Sequence, residues 1–206
     1  MDTPAGDLPL KPAGAPRKRP RPGERRQQIL QCLAGMLESG GAERITTAAL
    51  AQRLQVSEAA LYRHFASKAQ MFEALIAFVE TSIFGLINQI SEQHESGLLQ
   101  ALRIVQSLLV FAERNPGLSR VLNGAALVGE HERLQQRVDQ LFLRIEAALR
   151  QSLRLAQEQG GLVEGCEPTQ RAQWLLTYAR GWLHQLAQPG AKPSAQPELA
   201  LQLLLS

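Results

Sequence analysis

The stretch "VSEAALYRHFASK", residues 56–68, sets two alanines, Ala59 and Ala60, close to Tyr62, Arg63 and His64 in an unbroken row. A phenol, a guanidinium and an imidazole side by side are hydrogen-bond donors, suited to recognising acceptors such as phosphate oxygens. Wound as a helix at about 100° per residue over 57–65, the stretch puts Leu61 and Phe65 on one face. Ala59, Tyr62 and Arg63 fall on the opposite face, with Ala60 and His64 beside it. A helix entering the major groove of DNA needs small side chains where the groove floor is near, and donors where phosphates or base edges lie within reach. Ala59 and Ala60 give that clearance and a surface for a thymine methyl. Tyr62 and His64 suit phosphates, and Arg63 is long enough for a base edge or a phosphate. Backbone N–H groups behind Ser57, and behind Thr46 or Thr47 at the preceding helix start, are natural phosphate seats. Lys68 opens the next helix and would hold the flanking backbone. The competing reading is an ordinary helical hairpin whose polar face is merely wet.

Other chemistry finds no support. His64, His94, His131 and His184 are scattered, and "HERLQ" (131–135) has Gln135 where a zinc-binding H-E-x-x-H needs its second histidine. There is no Walker loop, dinucleotide glycine fingerprint or nucleophile elbow. No catalytic residue, metal site or cofactor is therefore expected.

The elements that must position these donors are helices. The chain has 206 residues, 45% hydrophobic and only 5% aromatic, and Leu, Ala, Gln, Arg and Glu dominate its long segments. No run approaches the roughly 18 consecutive apolar residues of a membrane span, and the N-terminus lacks the apolar core of a signal peptide, so a cytoplasmic protein is expected. Cys32 and Cys166 read as two unrelated thiols.

Charge is unevenly placed. The whole chain carries +3, yet residues 1–26 hold seven Lys and Arg against three acidic residues. Six prolines between 4 and 22 exclude a helix there, leaving a polyproline-like or disordered arm. Its Arg17, Lys18, Arg19 and Arg21 would track a DNA backbone. A basic arm also suits an acidic membrane surface, or serves only to solubilise.

From Glu24 onward apolar residues recur at helical spacing: Ile29, Leu30, Leu33, Met36 and Leu37 first. "SGGAER" (39–44) stops that helix, "TTAALAQRL" makes a second, "QVS" a turn, and Ser57 caps the third. A long helix follows over 68–93, another over 98–115 after Gly97, a short one at "LSRVLNG", and the longest over 130–158. A loop at 158–168 leads to "TQRAQWLLTYARGWLHQLA" and then "QPELALQLLL". The count is about nine helices with no convincing strand, so the fold class is all-α. The division expected is an arm at 1–23, a helix-turn-helix DNA-binding domain at 24–70, and a helical dimerisation and partner-binding domain at 71–206.

"ITTAALAQRLQVSEAALYRHFASKAQMFEALI" (45–76) resembles the DNA-binding module of TetR-type regulators. The resemblance rests on Thr47 before "LA", on Val56-Ser57, on the run from Leu61 to Phe65, and on Ser67-Lys68 leading into a long fourth helix. It implies a two-fold dimer built on the last two long helices. Trp174, Leu175, Tyr178, Trp182 and Leu186 would then line the dimer surface, unless they form protomer core. Within the family, "GERRQQILQCLAGMLES", "FAERNPGLSRVLNGAAL" (111–127) and "ERLQQRVDQLFLRIEAALRQSLR" (132–154) resemble the nucleoid occlusion branch. The resemblance spans about residues 23–154 and fades beyond. It implies a nucleoid-associated protein that binds chromosomal palindromes, with several dimers on one site as one arrangement. When DNA-bound it would contact the division GTPase FtsZ and block septum formation. Phe78, Arg114 and Asn115 match that branch's partner-binding positions, with Ser107 and Val110 as neighbours. An aromatic floor and an arginine suit an acidic, partly apolar peptide. Arg114 and Asn115 equally suit a helix C-terminus before Pro116. The alternative function is a repressor released by a small ligand. A cavity on the order of several hundred Å³ would favour it, and large side chains closing that space would count against it.

Overall fold

Apolar stripes at helical spacing have to be buried against one another, and in the computed structural model they are. It describes residues 23–39, 45–162, 165, 167–188, 190, 197 and 200–201. Among the described residues eight helices with full ranges run in order: α1 (Glu24–Glu38), α2 (Thr47–Leu54), α3 (Glu58–Tyr62), α4 (Lys68–Gln93), α5 (Gly97–Arg114), α6 (Pro116–Leu122), α7 (Glu132–Glu158) and α8 (Pro168–Leu186). A single 3₁₀ turn, Ala125–Leu127, lies between α6 and α7. Among the described residues there is no strand, and the class is all-α as expected. The final segment around "QPELALQLLL" is described only at Pro197, Ala200 and Leu201, all helical. The arm, with Arg17, Lys18, Arg19 and Arg21, lies outside the described residues, as do Gly40, Gly41 and Cys166.

α1, α2 and α3 form the small N-terminal unit. Leu61 and Phe65 are buried with Leu50, Ile29 and Leu33, the packing that the apolar spacing implies. Each such side chain removed from water contributes about 2 kcal/mol. α3 is shorter than the 57–65 helix expected. It ends at Tyr62, with Arg63 as its C-cap, and the N–H groups of His64 and Phe65 both donate to the Leu61 carbonyl. Arg63 and His64 therefore leave the final turn rather than a helix face.

α4 carries the chain from this unit into the larger one. It is long and apolar enough to cross a bilayer, but Met71, Phe72, Leu75, Ile76, Val79 and Ile83 are buried against neighbouring helices. α5, α7 and α8 pack on one another, and α4 lies across α5 and α7. Leu134, Val138, Leu141, Ile145, Leu149 and Leu153, the stripe of α7, are all fully buried.

Two glycines permit close helix approach. A Cβ on Gly97, the first residue of α5, would stand 2.3 Å from the Ser152 carbonyl oxygen of α7. One on Gly117 in α6 would stand 2.4 Å from the Ala34 carbonyl oxygen of α1. Contacts that short exclude any side chain. Gly117 thus lets α1, part of the N-terminal unit, lie flat along α6 of the larger one.

Candidate nucleic-acid interface and adjoining groove

The helix starts settle the local geometry. Thr46 Oγ1 accepts from the Ala49 N–H at 3.1 Å, so Thr46 is the N-cap of α2 and Thr47 its first residue. Ser57 Oγ accepts from Ala60 N–H at 3.2 Å and starts α3. Ser67 caps α4 in the same way, on Gln70. Between α2 and α3, Gln55 adopts a left-handed conformation (φ 55°) that closes the short turn. Each cap contributes about 1 kcal/mol and fixes where the next helix points.

Thr46, Ser57, Ala59, Tyr62, Arg63 and His64 are exposed, and Thr47 and Ala60 are half-buried. Tyr62 is 45% exposed despite its large ring. The side chains of Arg63 and His64 make no hydrogen bond or ion pair among the described residues. Arg26 of α1 supports this turn from behind. Its Nη1 donates to the His64 carbonyl at 3.0 Å, and its guanidinium lies 4.2 Å above the Phe65 ring. Lys68 is held in an ion pair: Nζ lies 2.5 Å from Glu130 Oε1, in the loop before α7. Two further ion pairs join α4 to α7, Glu73 to Arg133 at 2.7 Å and Glu80 to Arg137 at 2.6 Å. Glu80 also raises the Arg137 pKa, through their hydrogen bond first.

Phe78, Arg114 and Asn115 come together on one groove of about 590 Å³. Its walls are α1 (Leu30, Ala34), α4 (Leu75, Phe78) and the α5–α6 junction. Phe78 is 57% exposed there, unusual for a phenylalanine. Asn115 does cap a helix end, since Nδ2 donates to the Phe111 carbonyl at 2.9 Å. Arg114 is exposed and has no partner among the described residues. Ser107 and Val110 line a second groove of about 690 Å³ across Arg114 and Asn115, between Leu86 and the segment bearing Pro197 and Leu201. Between α4 and α5, enclosed by Ile83, Ile87, Ile104 and Leu108, the space is about 10 Å³, room for one water.

The aromatic surface expected of α8 divides in two. Leu175 and Trp182 turn into the protomer and are buried, the core placement that the sequence left open beside a dimer surface. The reason is that α8 packs on α5, α6 and α7 at once, so its apolar stripe is wider than one contact needs. Trp174 remains 52% exposed, and Tyr178 and Leu186 are half-buried. Leu143 of α7, 56% exposed, was not marked by periodicity because it lies just outside the buried stripe. Arg26 and Glu130 also went unseen in the sequence, because their partners lie far along the chain.

Residues 29–75 match the family model "Bacterial regulatory proteins, tetR family", and residues 95–205 match the SlmA-like model described as "Tetracyclin repressor-like, C-terminal domain". The chain is 52% identical over 161 residues to the nucleoid occlusion factor SlmA of Shewanella halifaxensis, covering 78% of this chain and 82% of that protein. Identity to the SlmA of Shewanella baltica strain OS155 is 50% over the same extent. A TetR-family transcriptional regulator from Agrobacterium tumefaciens has the same fold, with a TM-score of 0.74 at 18% identity, over 90% of this chain and all of that one.

Proposed function

The chain belongs to the TetR family of bacterial regulators, in its SlmA-type nucleoid occlusion branch, and from that premise we propose how it acts. It is a nucleoid occlusion factor that binds palindromic chromosomal sites as a homodimer. α3 enters the major groove, with Tyr62, Arg63 and His64 toward the backbone and base edges and Ala59 and Ala60 against the groove floor. Thr46, Thr47, Ser57 and Lys68 sit where phosphates flank that helix, and Arg17, Lys18, Arg19 and Arg21 follow the backbone outward. The working division is the one read from the sequence, with the partner-binding part beginning at about residue 71.

When bound to DNA, the protein engages FtsZ and blocks Z-ring assembly over the chromosome. The observation that carries this step is the position of the Phe78–Arg114–Asn115 groove. One of its walls is α1, the same helix whose Arg26 supports the turn after α3. A ligand on the groove and a duplex on α3 therefore share one rigid support, which gives DNA occupancy a route to the partner site. An acidic, partly apolar peptide suits it: Phe78 offers a ring face, Arg114 an unpaired guanidinium, and Leu30 and Leu75 an apolar floor. The grooves of about 590 and 690 Å³ are large enough for a small ligand, so a repressor released by one is the alternative reading.

The test is sedimentation of FtsZ filaments with GTP and this protein, with and without DNA selected for tight binding. Loss of filaments only when protein and DNA are both present is the expected result. Filaments indifferent to the protein under every condition would refute the FtsZ step and return the ligand-released repressor as the better reading.

A further inference from the structure

The hydroxyls on the proposed DNA face are not independent. Tyr62 Oη donates to Thr47 Oγ1 at 3.4 Å, and Thr47 Oγ1 donates its single proton to Glu58 Oε2 at 2.6 Å. The chain ends on an exposed carboxylate that is the first residue of α3. Glu58 Oε1, the second oxygen, carries no hydrogen bond among the described residues. A carboxylate facing a duplex is repelled by phosphates and gains only where it meets a donor. In the major groove the donors are exocyclic amines, and a glutamate typically accepts from cytosine N4. The N-terminal residues of a recognition helix are those that reach base edges. Glu58 stands there, between Ser57 and Ala59.

Resting on the assignment of α3 to the major groove, we infer that Glu58 is a specificity-determining residue. Its Oε1 accepts a hydrogen bond from the N4 amine of a cytosine at one position of each half-site. Its charge disfavours duplexes that present an acceptor there. Thr47 holds the other oxygen and so fixes the carboxylate's direction, while Tyr62 steadies Thr47. One hydrogen-bonded unit thereby joins a base-reading group on α3 to the start of α2.

The experiment is selection of binding sites from a randomised duplex pool, followed by titration against selected and random DNA. It compares the full chain with Glu58→Gln and Glu58→Ala, each checked for helicity by circular dichroism. The unsubstituted chain is expected to return a motif with cytosine at one column. Glu58→Gln, whose amide pairs with adenine N6 and N7, shifts that column to adenine. Glu58→Ala flattens the column, keeps the rest of the motif, and lowers the ratio of selected-site to random affinity about tenfold. The same motif and the same ratio in all three proteins would overturn the inference while leaving α3 in the groove. No motif from the unsubstituted chain would overturn the DNA-binding reading itself.

Discussion

Lys68 Nζ and Glu130 Oε1 lie 2.5 Å apart, joining the first residue of α4 to the loop that precedes α7. Their side chains are 21% and 9% exposed, so the pair is largely shielded from water. The lysine proposed to meet a DNA phosphate is thus held by a carboxylate of the larger unit. Binding a duplex through Lys68 requires that pair to open or to be shared. Lys68→Ala is expected to weaken binding to all sequences alike, by about tenfold at low salt, and to reduce the salt slope by about one. Glu130→Gln releases the ammonium and should strengthen binding about threefold. Titration at several salt concentrations reads both. An unchanged slope in Lys68→Ala would place Lys68 on Glu130 in the complex as well.

The donors of the α3 turn make a second prediction. Tyr62→Ala should weaken binding on every sequence and leave the salt slope as it is, because a neutral phenol displaces no counterion. Arg63→Ala should weaken binding and lower the salt slope, and will also relax specificity if its guanidinium reads a base edge. Both side chains are exposed, so melting temperatures should hardly move. Unchanged affinity in both variants would mean that another element enters the groove.

The partner groove predicts a separation of functions. Phe78→Ala and Arg114→Ala are expected to abolish the effect on FtsZ filaments while leaving DNA affinity as it is. Phe78 is mostly exposed and Arg114 unpaired, so stability should change by less than about 0.5 kcal/mol. Sedimentation and DNA titration on the same preparations decide the matter. A parallel loss of DNA binding would make both residues structural.

How much of this was legible in the sequence follows from the range of each interaction. Caps such as Ser57 on Ala60 act over three residues, so "QVS" and "TTAA" were readable as helix starts. The burial of Leu61 and Phe65 was likewise written in their spacing. The end of α3 was not, because propensity does not distinguish a helix ending at Tyr62 from one ending at Phe65. Leu175 and Trp182 stayed open between core and dimer surface for a related reason: periodicity marks an apolar face but not which neighbour covers it. Arg26 on His64 and Lys68 on Glu130 span 38 and 62 residues, and no local pattern encodes such pairs. Glu58 was visible in the opening stretch, four residues before Tyr62, yet its link to Thr47 appears only when α2 and α3 are folded together.

The close approach of α6 to α1 can be tested at Gly117. A methyl there would meet the Ala34 carbonyl oxygen at 2.4 Å and the Glu38 nitrogen at 2.8 Å, both backbone atoms that cannot rotate away. Gly117→Ala should therefore push α1 off α6, at a cost of about 1–3 kcal/mol. For a chain of this size that lowers the melting temperature by about 2–4 °C per kcal/mol. Because α1 and Gly117 both line the Phe78 groove, FtsZ binding should weaken beyond what the stability loss alone predicts. Calorimetry beside a filament assay at low temperature separates the two effects.

Dimerisation gives the last prediction, and it turns on which half of α8 faces outward. Trp174 and Leu143 are both more than half exposed, on α8 and α7, which pack along each other. Two large apolar side chains on adjoining helix faces suit a two-fold interface, where each patch meets its own copy. Trp174→Glu should therefore leave a folded monomer by analytical ultracentrifugation. Its affinity for a palindromic site should fall at least about a hundredfold, because the two half-sites no longer act together. Trp182→Ala is the contrasting case. It empties a buried site and should cost about 3–5 kcal/mol of stability without selectively dissociating the dimer. If Trp174→Glu stays dimeric while Trp182→Ala dissociates, the dimer surface lies elsewhere on α7 and α8.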